Sequence, residues 1–449
     1  MANTRSRRFL GVPDEFWIAF VIIVGFFLKL VYNIEGGYIP GTVNPGVWTE
    51  ITEASPNSGH IGLIQYYFTF HKLAGFDPRT LACYSNPPFY YMTGALFLEF
   101  THRMMNWDIG IALHALQCVN VIYVLIGESM GIGILQKMGV RGRKMMVCIL
   151  FLIFFPTYYL IGASLDPTAM TFMFTMLSLN TALSWFNSRR NSTLRALAIQ
   201  LGLGLMTSFR LLMIIPPILI LLFRAAADGR RNATPLHRQF RNAAIITSVL
   251  GLWWPIYRLI RFRVPLFYMD KPYGEMLQER FSARLRPPTL AQLSHLHTVN
   301  GGYRESNIWA QTFKTAVVDF HSLDVSTAAT RAVITILLVI TILICIISHI
   351  MLVYTLLSNR LDRVYCRFIA VGYLSMLGFY LLGCWRYPYT GMMNFKTIAP
   401  ILIFPLIGTG LCGTGDSQDN VFEKMLEKFI GPLLFMMSVL SAFLFGYYY

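Results

Sequence analysis

The sequence is short of charge. Asp, Glu, Lys and Arg make up only 13% of its 449 residues, about half of what a soluble chain carries, which excludes a water-soluble globule of this length. Acids are scarcest, with 22 Asp and Glu against 37 Lys and Arg. The seven cysteines, Cys83, Cys118, Cys148, Cys345, Cys366, Cys384 and Cys412, stand singly, and none has metal-type spacing. There is no internal repeat, no low-complexity tract, no glycine-rich phosphate loop, no zinc signature and no Ser/His/Asp pattern. The missing repeat counts against a transporter built from paired halves.

What the chain has is apolar length. Hydrophobic residues make up 55% of it, and several runs reach the roughly 20 residues needed to cross a bilayer. About eleven spans follow, near 15–34, 109–134, 145–163, 168–186, 196–208, 211–223, 242–261, 332–357, 365–384, 396–412 and 428–447. The expected fold is therefore an all-α integral membrane protein, a single domain over residues 1–449 with about eleven transmembrane helices. The run 16–32 behind Ser6-Arg7-Arg8 is long enough to stay as an anchor. Simple alternation puts Arg5 to Arg8, Lys137 to Lys144, Arg189 to Arg195, Arg224 to Arg241 and Arg360 to Arg367 on one side, as the positive-inside rule expects of the cytoplasmic face. The N-terminus is then cytoplasmic. The net charge of +15 needs no nucleic acid, for which no basic soluble domain exists. One long helix over 196–223 would set Arg210 mid-membrane, at about 2.5–3.5 kcal/mol. Two short segments meeting outside are expected instead, and Pro216-Pro217 fits the break.

Four external stretches remain: 35–108, the tight turn Ser164-Leu165-Asp166-Pro167, the long segment 262–331 broken by Pro265, Pro272, Pro287 and Pro288, and a small loop from Trp385 to Phe395. In the first, Gly59 to Lys72 sets Ile61, Ile64 and Phe68 at helical spacing. Asn86 to Met105 begins with Asn86 as an N-cap and Pro87 at the first helical position. Both helices are too short and too polar-edged to span, and are expected to lie in the membrane interface. The segment 262–331 is long for an irregular connection, which predicts helix or function within it.

The run Gly59-His60-Ile61-Gly62-Leu63-Ile64-Gln65-Tyr66-Tyr67, then Phe76-Asp77-Pro78, then Tyr84-Ser85-Asn86-Pro87-Pro88-Phe89-Tyr90-Tyr91 resembles the first extracytoplasmic loop of the GT-C superfamily, the polytopic glycosyltransferases that use lipid-linked sugars. It looks most like the bacterial branch of protein mannosyltransferases and lipid A aminoarabinose transferases. Gly251-Leu252-Trp253-Trp254-Pro255-Ile256-Tyr257-Arg258 with Pro265-Leu266-Phe267 is similar to that family's span before its large loop. Asn307-Ile308-Trp309 with Phe313-Lys314-Thr315 is similar to the end of the same loop. Tyr387-Pro388-Tyr389, Met393-Asn394-Phe395-Lys396 and Ala399-Pro400 are similar to a late segment where a cation enters a Pro-containing span. Each match is short, and the specificity lies in their order.

The resemblance implies an inverting transfer of sugar from an undecaprenyl- or dolichyl-phosphate donor to a glycan, protein or lipid acceptor, among membrane lipids and outside the cytoplasm. Such a transfer needs a carboxylate that takes the acceptor's proton or orients a metal, and cations that hold the departing phosphate. Related bacterial proteins carry a His-Asp pair after the first span, where this chain reads Gly36-Gly37-Tyr38-Ile39-Pro40 with no acid. The catalytic candidates are Asp166 in its tight turn, Glu35 beside the first span, and Glu50 and Glu53 if the loop folds back, with Asp77 a further loop acid. Asp166 ahead of Pro167 is equally suited to capping a helix. The phosphate candidates are Arg258, Lys396 and Arg386, for which snorkelling to headgroups is the plain alternative. His60 and Asn86 are expected to position the first loop. A divalent metal and a Cys83–Cys384 disulfide stay open.

Two other readings fit the same residues. One is a non-catalytic relative that binds or moves a lipid-linked glycan, kept open by the missing acid. The other is an unrelated polytopic transporter. The membrane is the plasma membrane in a bacterium and the endoplasmic reticulum in a eukaryote.

Overall fold

The structure is a computed structural model that describes residues 8–9, 12–36, 46–231, 236–266, 268, 276–294, 296, 299–300, 303–318, 327–358, 361–412 and 421–447. Arg5, Arg7, Phe267, Pro272 and the 37–40 stretch lie outside them. Two short antiparallel ladders, Arg8–Phe9 with Val12–Pro13 and Val299–Asn300 with Tyr303–Arg304, are the only strands among the described residues. The rest is helix. In chain order come α1 (Asp14–Gly36), α2 (Gly59–Phe70), α3 (Phe89–Leu98), α4 (Ile109–Lys137), α5 (Gly142–Phe154), α6 (Pro156–Ala163), α7 (Thr168–Ser188), α8 (Asn191–Leu205) and α9 (Ile215–Arg231). They are followed by α10 (His237–Phe262), α11 (Phe281–Arg284), α12 (Leu290–Ser294), α13 (Ile308–Val317), α14 (Ala328–Leu357), α15 (Arg363–Arg386), α16 (Ile403–Leu411) and α17 (Val421–Tyr447).

Helix occupies all the stretches expected to span, but eight segments among the described residues are long and apolar enough to cross a membrane by length and composition. These are α1, α4, α5 with α6, Phe209–Gly229 through α9, α10, α14, α15 and α17. The chain is thus an all-α, multi-pass integral membrane protein. The stretch Ala399–Leu411 is apolar but shorter. Helix α7 has 21 residues yet carries Thr171, Thr175, Ser178 and Asn180. It packs against α4, α8 and α9 and is buried along most of its length, so it needs no lipid-facing stripe. The break expected near Arg210 falls at Met206–Ser208: the Ser208 hydroxyl accepts the Arg210 N–H at 3.3 Å and starts the 3-10 turn Phe209–Ile214. Pro216 and Pro217 then sit in the first turn of α9, where a missing N–H costs nothing.

Helix α1 buries one stripe, Val21, Gly25, Lys29, Tyr32 and Asn33, at the 3.6-residue period. Lys29 is the surprise in it. Its Nζ lies 2.8 Å from Glu128 Oε1 on α4 and donates to the Ile153 carbonyl at 2.7 Å, with both charged side chains 1% exposed. Asn33 continues the seam, donating to the Gln117 and Gly162 carbonyls at 3.3 Å each. Phe445 of α17 closes it between Tyr32 and Tyr159, with centroids 5.0 and 4.7 Å away. Elsewhere α16 lies so close to α14 that a Cβ on Gly408 would stand 2.5 Å from Leu352 Cα.

The connections segregate to two ends. At one, Phe89 N donates to Met206 O, Lys396 Nζ to Ser164 Oγ, and Leu277 N to Pro388 O, which joins the expected external stretches. At the other, Lys137 donates to Asn180, Lys144 to the Cys412 carbonyl and Tyr365 to Asn187, while Arg189 pairs with Asp228 at 3.6 Å. Cysteines introduced at Ser58 and Ser294 should therefore be labelled from one side of the membrane by an impermeant thiol reagent. Cysteines at Arg143 and Arg190 should be labelled only from the other. Labelling of all four from the same face would refute the arrangement.

The first connection differs from its sequence-based reading in two respects. Helix α2 is not a surface helix: Gly59 and Ile61 through Phe68 are all buried, because Tyr66, Tyr67 and the two glycines face protein where a polar edge was expected. The second helix begins at Phe89, with Pro88 and not Asn86 at its N-cap, and passes into a π turn at Glu99–Met104. Cys83 and Cys384 are both buried. The long connection does carry its own helices, α11 to α13.

Candidate functional site

A cavity of about 120 Å³ opens where these connections meet, lined by residues of the first connection, the Asp166 turn, the α8–α9 break and the 391–397 segment, with Tyr268. Each wall is fixed by local chemistry. Gly59, at φ +88°, a region glycine adopts without strain, lets α2 start abruptly and sets His60 at the wall. Asn120 of α4 holds the Ser164 turn through its carbonyl at 2.5 Å and also donates to the Tyr90 hydroxyl at 3.1 Å. In that turn Asp166 Oδ1 accepts the Thr168 N–H at 2.7 Å, so the carboxylate, one residue before the Pro167 N-cap, holds the first N–H of α7 while lining the cavity.

Lys396 arrives from the opposite wall. Asn394 Oδ1 accepts the Lys396 N–H at 2.9 Å and shapes the turn, and Thr315 Oγ1 of α13 accepts the Phe395 N–H at 2.9 Å. Helix α13 is itself anchored: Asn307 Oδ1 caps it through Ala310 N at 2.9 Å, and the buried Lys314–Glu305 pair closes at 2.7 Å. The Asn-Ile-Trp…Lys-Thr stretch thus acts as scaffold for Lys396, whose ammonium donates to Ser164 Oγ at 2.8 Å.

The electrostatics are those of a small anion site with one counter-charge. Asp166 is 7% exposed and Lys396 6%. Burial alone would raise the Asp166 carboxyl. Lys396, His60 and the hydrogen bonds from Thr168 outweigh it and hold the carboxyl below its ordinary range. Burial, the largest influence, lowers the His60 imidazole to about 4; Asp166 opposes this, and Arg210 and Lys396 add to it. His60 is therefore neutral at pH 7.

Of the residues singled out in the sequence, Asp166, Lys396, His60 and Asn86 meet at this cavity. Glu35, Glu50 and Glu53 are exposed and do not line it, and Glu53 pairs with Lys72 at 2.5 Å. Asp77 is held by Arg79. Arg386 is exposed, 5.7 Å over the Tyr387 ring. Arg258 is 0% exposed and lies behind the wall, donating to the Ser85 carbonyl at 2.5 Å and the Leu266 carbonyl at 3.3 Å, near the Phe209 and Trp254 rings. It clamps the Asn86 loop to the end of α10. Arg210 is the cation the site reading missed. The signal was present, since a cation in an apolar run is costly unless it faces a polar cavity, and the break in the helix turns it into this one.

The donor set does not fit a divalent cation. Among the described residues, Asp166 and His60 are the only carboxylate and imidazole on the walls, they face two cations, and no group of three or more His, Cys, Asp or Glu side chains converges.

No family model matches the chain, and no curated protein matches it. Among solved structures it is similar to ArnT from Cupriavidus metallidurans in the apo state, with a TM-score of 0.40 and 12% identity over 88% of this chain and 77% of that one. It is similar to the same enzyme bound to undecaprenyl phosphate at a TM-score of 0.40 and 11% identity over the same shares. Overlap at that level carries no argument about family or function.

Proposed function

We propose that the chain is a GT-C-type membrane glycosyltransferase that moves a sugar from a polyprenyl-phosphate donor to an acceptor hydroxyl on the extracytoplasmic side, with the N-terminus cytoplasmic. One observation carries the reading: a carboxylate, two cations and a neutral imidazole converge on one small cavity at the end of the bundle away from the basic connections. The ordered motifs support it, since His60, Asn86 and Pro87 of the first connection and Asn394 and Lys396 of the late segment line the cavity and the α13 motif braces Lys396.

In this reading Asp166 accepts the proton of the acceptor hydroxyl. The acceptor oxygen bonds to the anomeric carbon from the face opposite the phosphate, the bond from that carbon to the phosphate oxygen breaks, and configuration inverts. The phosphate leaves onto Lys396 and Arg210, whose preorganised charge stabilises it. A donor phosphate that engages Lys396 also weakens that cation's hold on Asp166 and makes the carboxylate a better base. The test is transfer from a panel of radiolabelled polyprenyl-phosphate sugars in membranes containing the chain. Binding of polyprenyl phosphate with no transfer from any donor would favour the non-catalytic relative, a reading also served by Asp166 being the one carboxylate among the described residues that line the cavity.

Lys396→Ala and Arg210→Ala should each weaken binding of undecaprenyl phosphate about tenfold or more, the worth of one charge-assisted contact of roughly 1.5–3 kcal/mol. Titration of the purified variants in detergent reads this directly. Wild-type affinity in both would remove the phosphate from this cavity.

A further inference from the structure

Tyr91 does not line the cavity, yet it touches His60 and Asn86, which do. It is 0% exposed. Its hydroxyl lies 2.8 Å from His60 Nδ1 and 3.0 Å from Asn86 Nδ2, and its ring stacks on the imidazole with centroids 5.8 Å apart and planes 7° apart. A phenol has one hydrogen to give. Asn86 Nδ2 is a donor, so it occupies a lone pair on the Tyr91 oxygen and cannot take that hydrogen. The phenol oxygen could also accept an N–H from His60, but its own hydrogen would then have no acceptor among the described residues, so the hydrogen goes to His60 Nδ1, which must be bare. In a neutral imidazole the remaining proton sits on Nε2.

We propose that Asn86 and Tyr91 form a relay that locks His60 as the Nε2–H tautomer, making it a neutral hydrogen-bond donor to a ligand oxygen and not a proton acceptor. The charged groups that act on His60 are Asp166, Arg210 and Lys396, and their balance with burial keeps the ring neutral at pH 7. Tyr91 is a positioning residue, acting through His60. That the ligand oxygen belongs to the donor phosphate or sugar rests on the glycosyltransferase reading; the tautomer rests on geometry alone.

The experiment uses the full chain in lipid nanodiscs with ring-15N histidine, and His60→Gln identifies the His60 signals. Wild type should show a bare Nδ1 and a protonated Nε2, still neutral at about pH 5.5. Asn86→Asp, which is isosteric, puts an acceptor where a donor stood. It takes the Tyr91 hydrogen, reverses the relay and leaves His60 Nδ1 protonated. Tyr91→Phe removes the lock, so both tautomers appear and the ring titrates at higher pH. A protonated Nδ1 in wild type would overturn the proposal, as would a bare Nδ1 in Asn86→Asp or an unchanged single tautomer in Tyr91→Phe. No turnover is needed. A chain that transfers no sugar but shows this tautomer pattern fails the functional reading and keeps the relay.

Discussion

Asp166→Asn is expected to lower turnover by about 10²–10⁴-fold, the usual contribution of a positioned base, while the protein still folds, at a lower melting temperature because the buried cations opposite lose their counter-charge. The substitution separates the two jobs of this residue. Its Oδ1 accepts the Thr168 N–H at the start of α7, and an amide oxygen accepts that bond as a carboxylate does. The lost charge matters only to chemistry and to the cations opposite. Arg210 and Lys396 lose their counter-charge, so undecaprenyl phosphate should bind as well as before or more tightly. Lost turnover with retained or tightened binding is the signature of a base. The pH dependence has a definite sign. Because the Asp166 carboxyl is held below its ordinary range, it stays ionised well below neutrality, and its contribution to rate is lost only as pH falls through that lowered value. The same shift adds stability above the ordinary carboxylate range that disappears in acid. A stable Asp166→Asn protein turning over at the wild-type rate would send the base outside this cavity, to Glu35, Glu50, Glu53 or Asp77.

Lys29→Met or Glu128→Leu alone should destabilise the fold by about 3–5 kcal/mol, the cost of leaving one member of a buried pair uncompensated. The double replacement should recover most of that loss, because it removes both desolvation penalties together. Lys29 has no water to fall back on: its ammonium is 1% exposed, held by Glu128 and the Ile153 carbonyl and lying 5.1 Å over the Tyr159 ring. Thermal melts of the four proteins in one detergent complete the cycle. If Lys29→Met melts with wild type, the seam of α1 rests on packing alone.

Much of this was legible in the sequence, and the failures have physical causes. Apolar runs reveal helices because length and hydropathy are local properties. The Asp166 turn was legible for the same reason, since four residues between two apolar runs leave an acid little freedom. Lys396, His60 and Asn86 were reachable through motif order. The setting of Arg258 was not legible because a cation at a span end looks the same whether it meets a headgroup, a phosphate or two backbone carbonyls, and only the fold brings Ser85 and Leu266 to it. Helix α2 was misread because tyrosine is ambiguous between edge and core. Lys29 and Glu128 were passed over because each is a lone charge in a long apolar run, and the partner lies three helices along the chain.

That same pair sets a timetable for synthesis. Lys29 reaches the bilayer while Glu128 is still untranslated, and a central lysine burdens an inserting helix by about 2.5–3.5 kcal/mol. Phe26, Phe27, Leu28 and Leu30 around it offset much of this, so α1 enters as a reluctant guest beside the insertion channel, slow to drift into lipid. Everything between the two helices is made before α4 brings the carboxylate, so α2 and α3 are complete while the bundle that buries them is still to come.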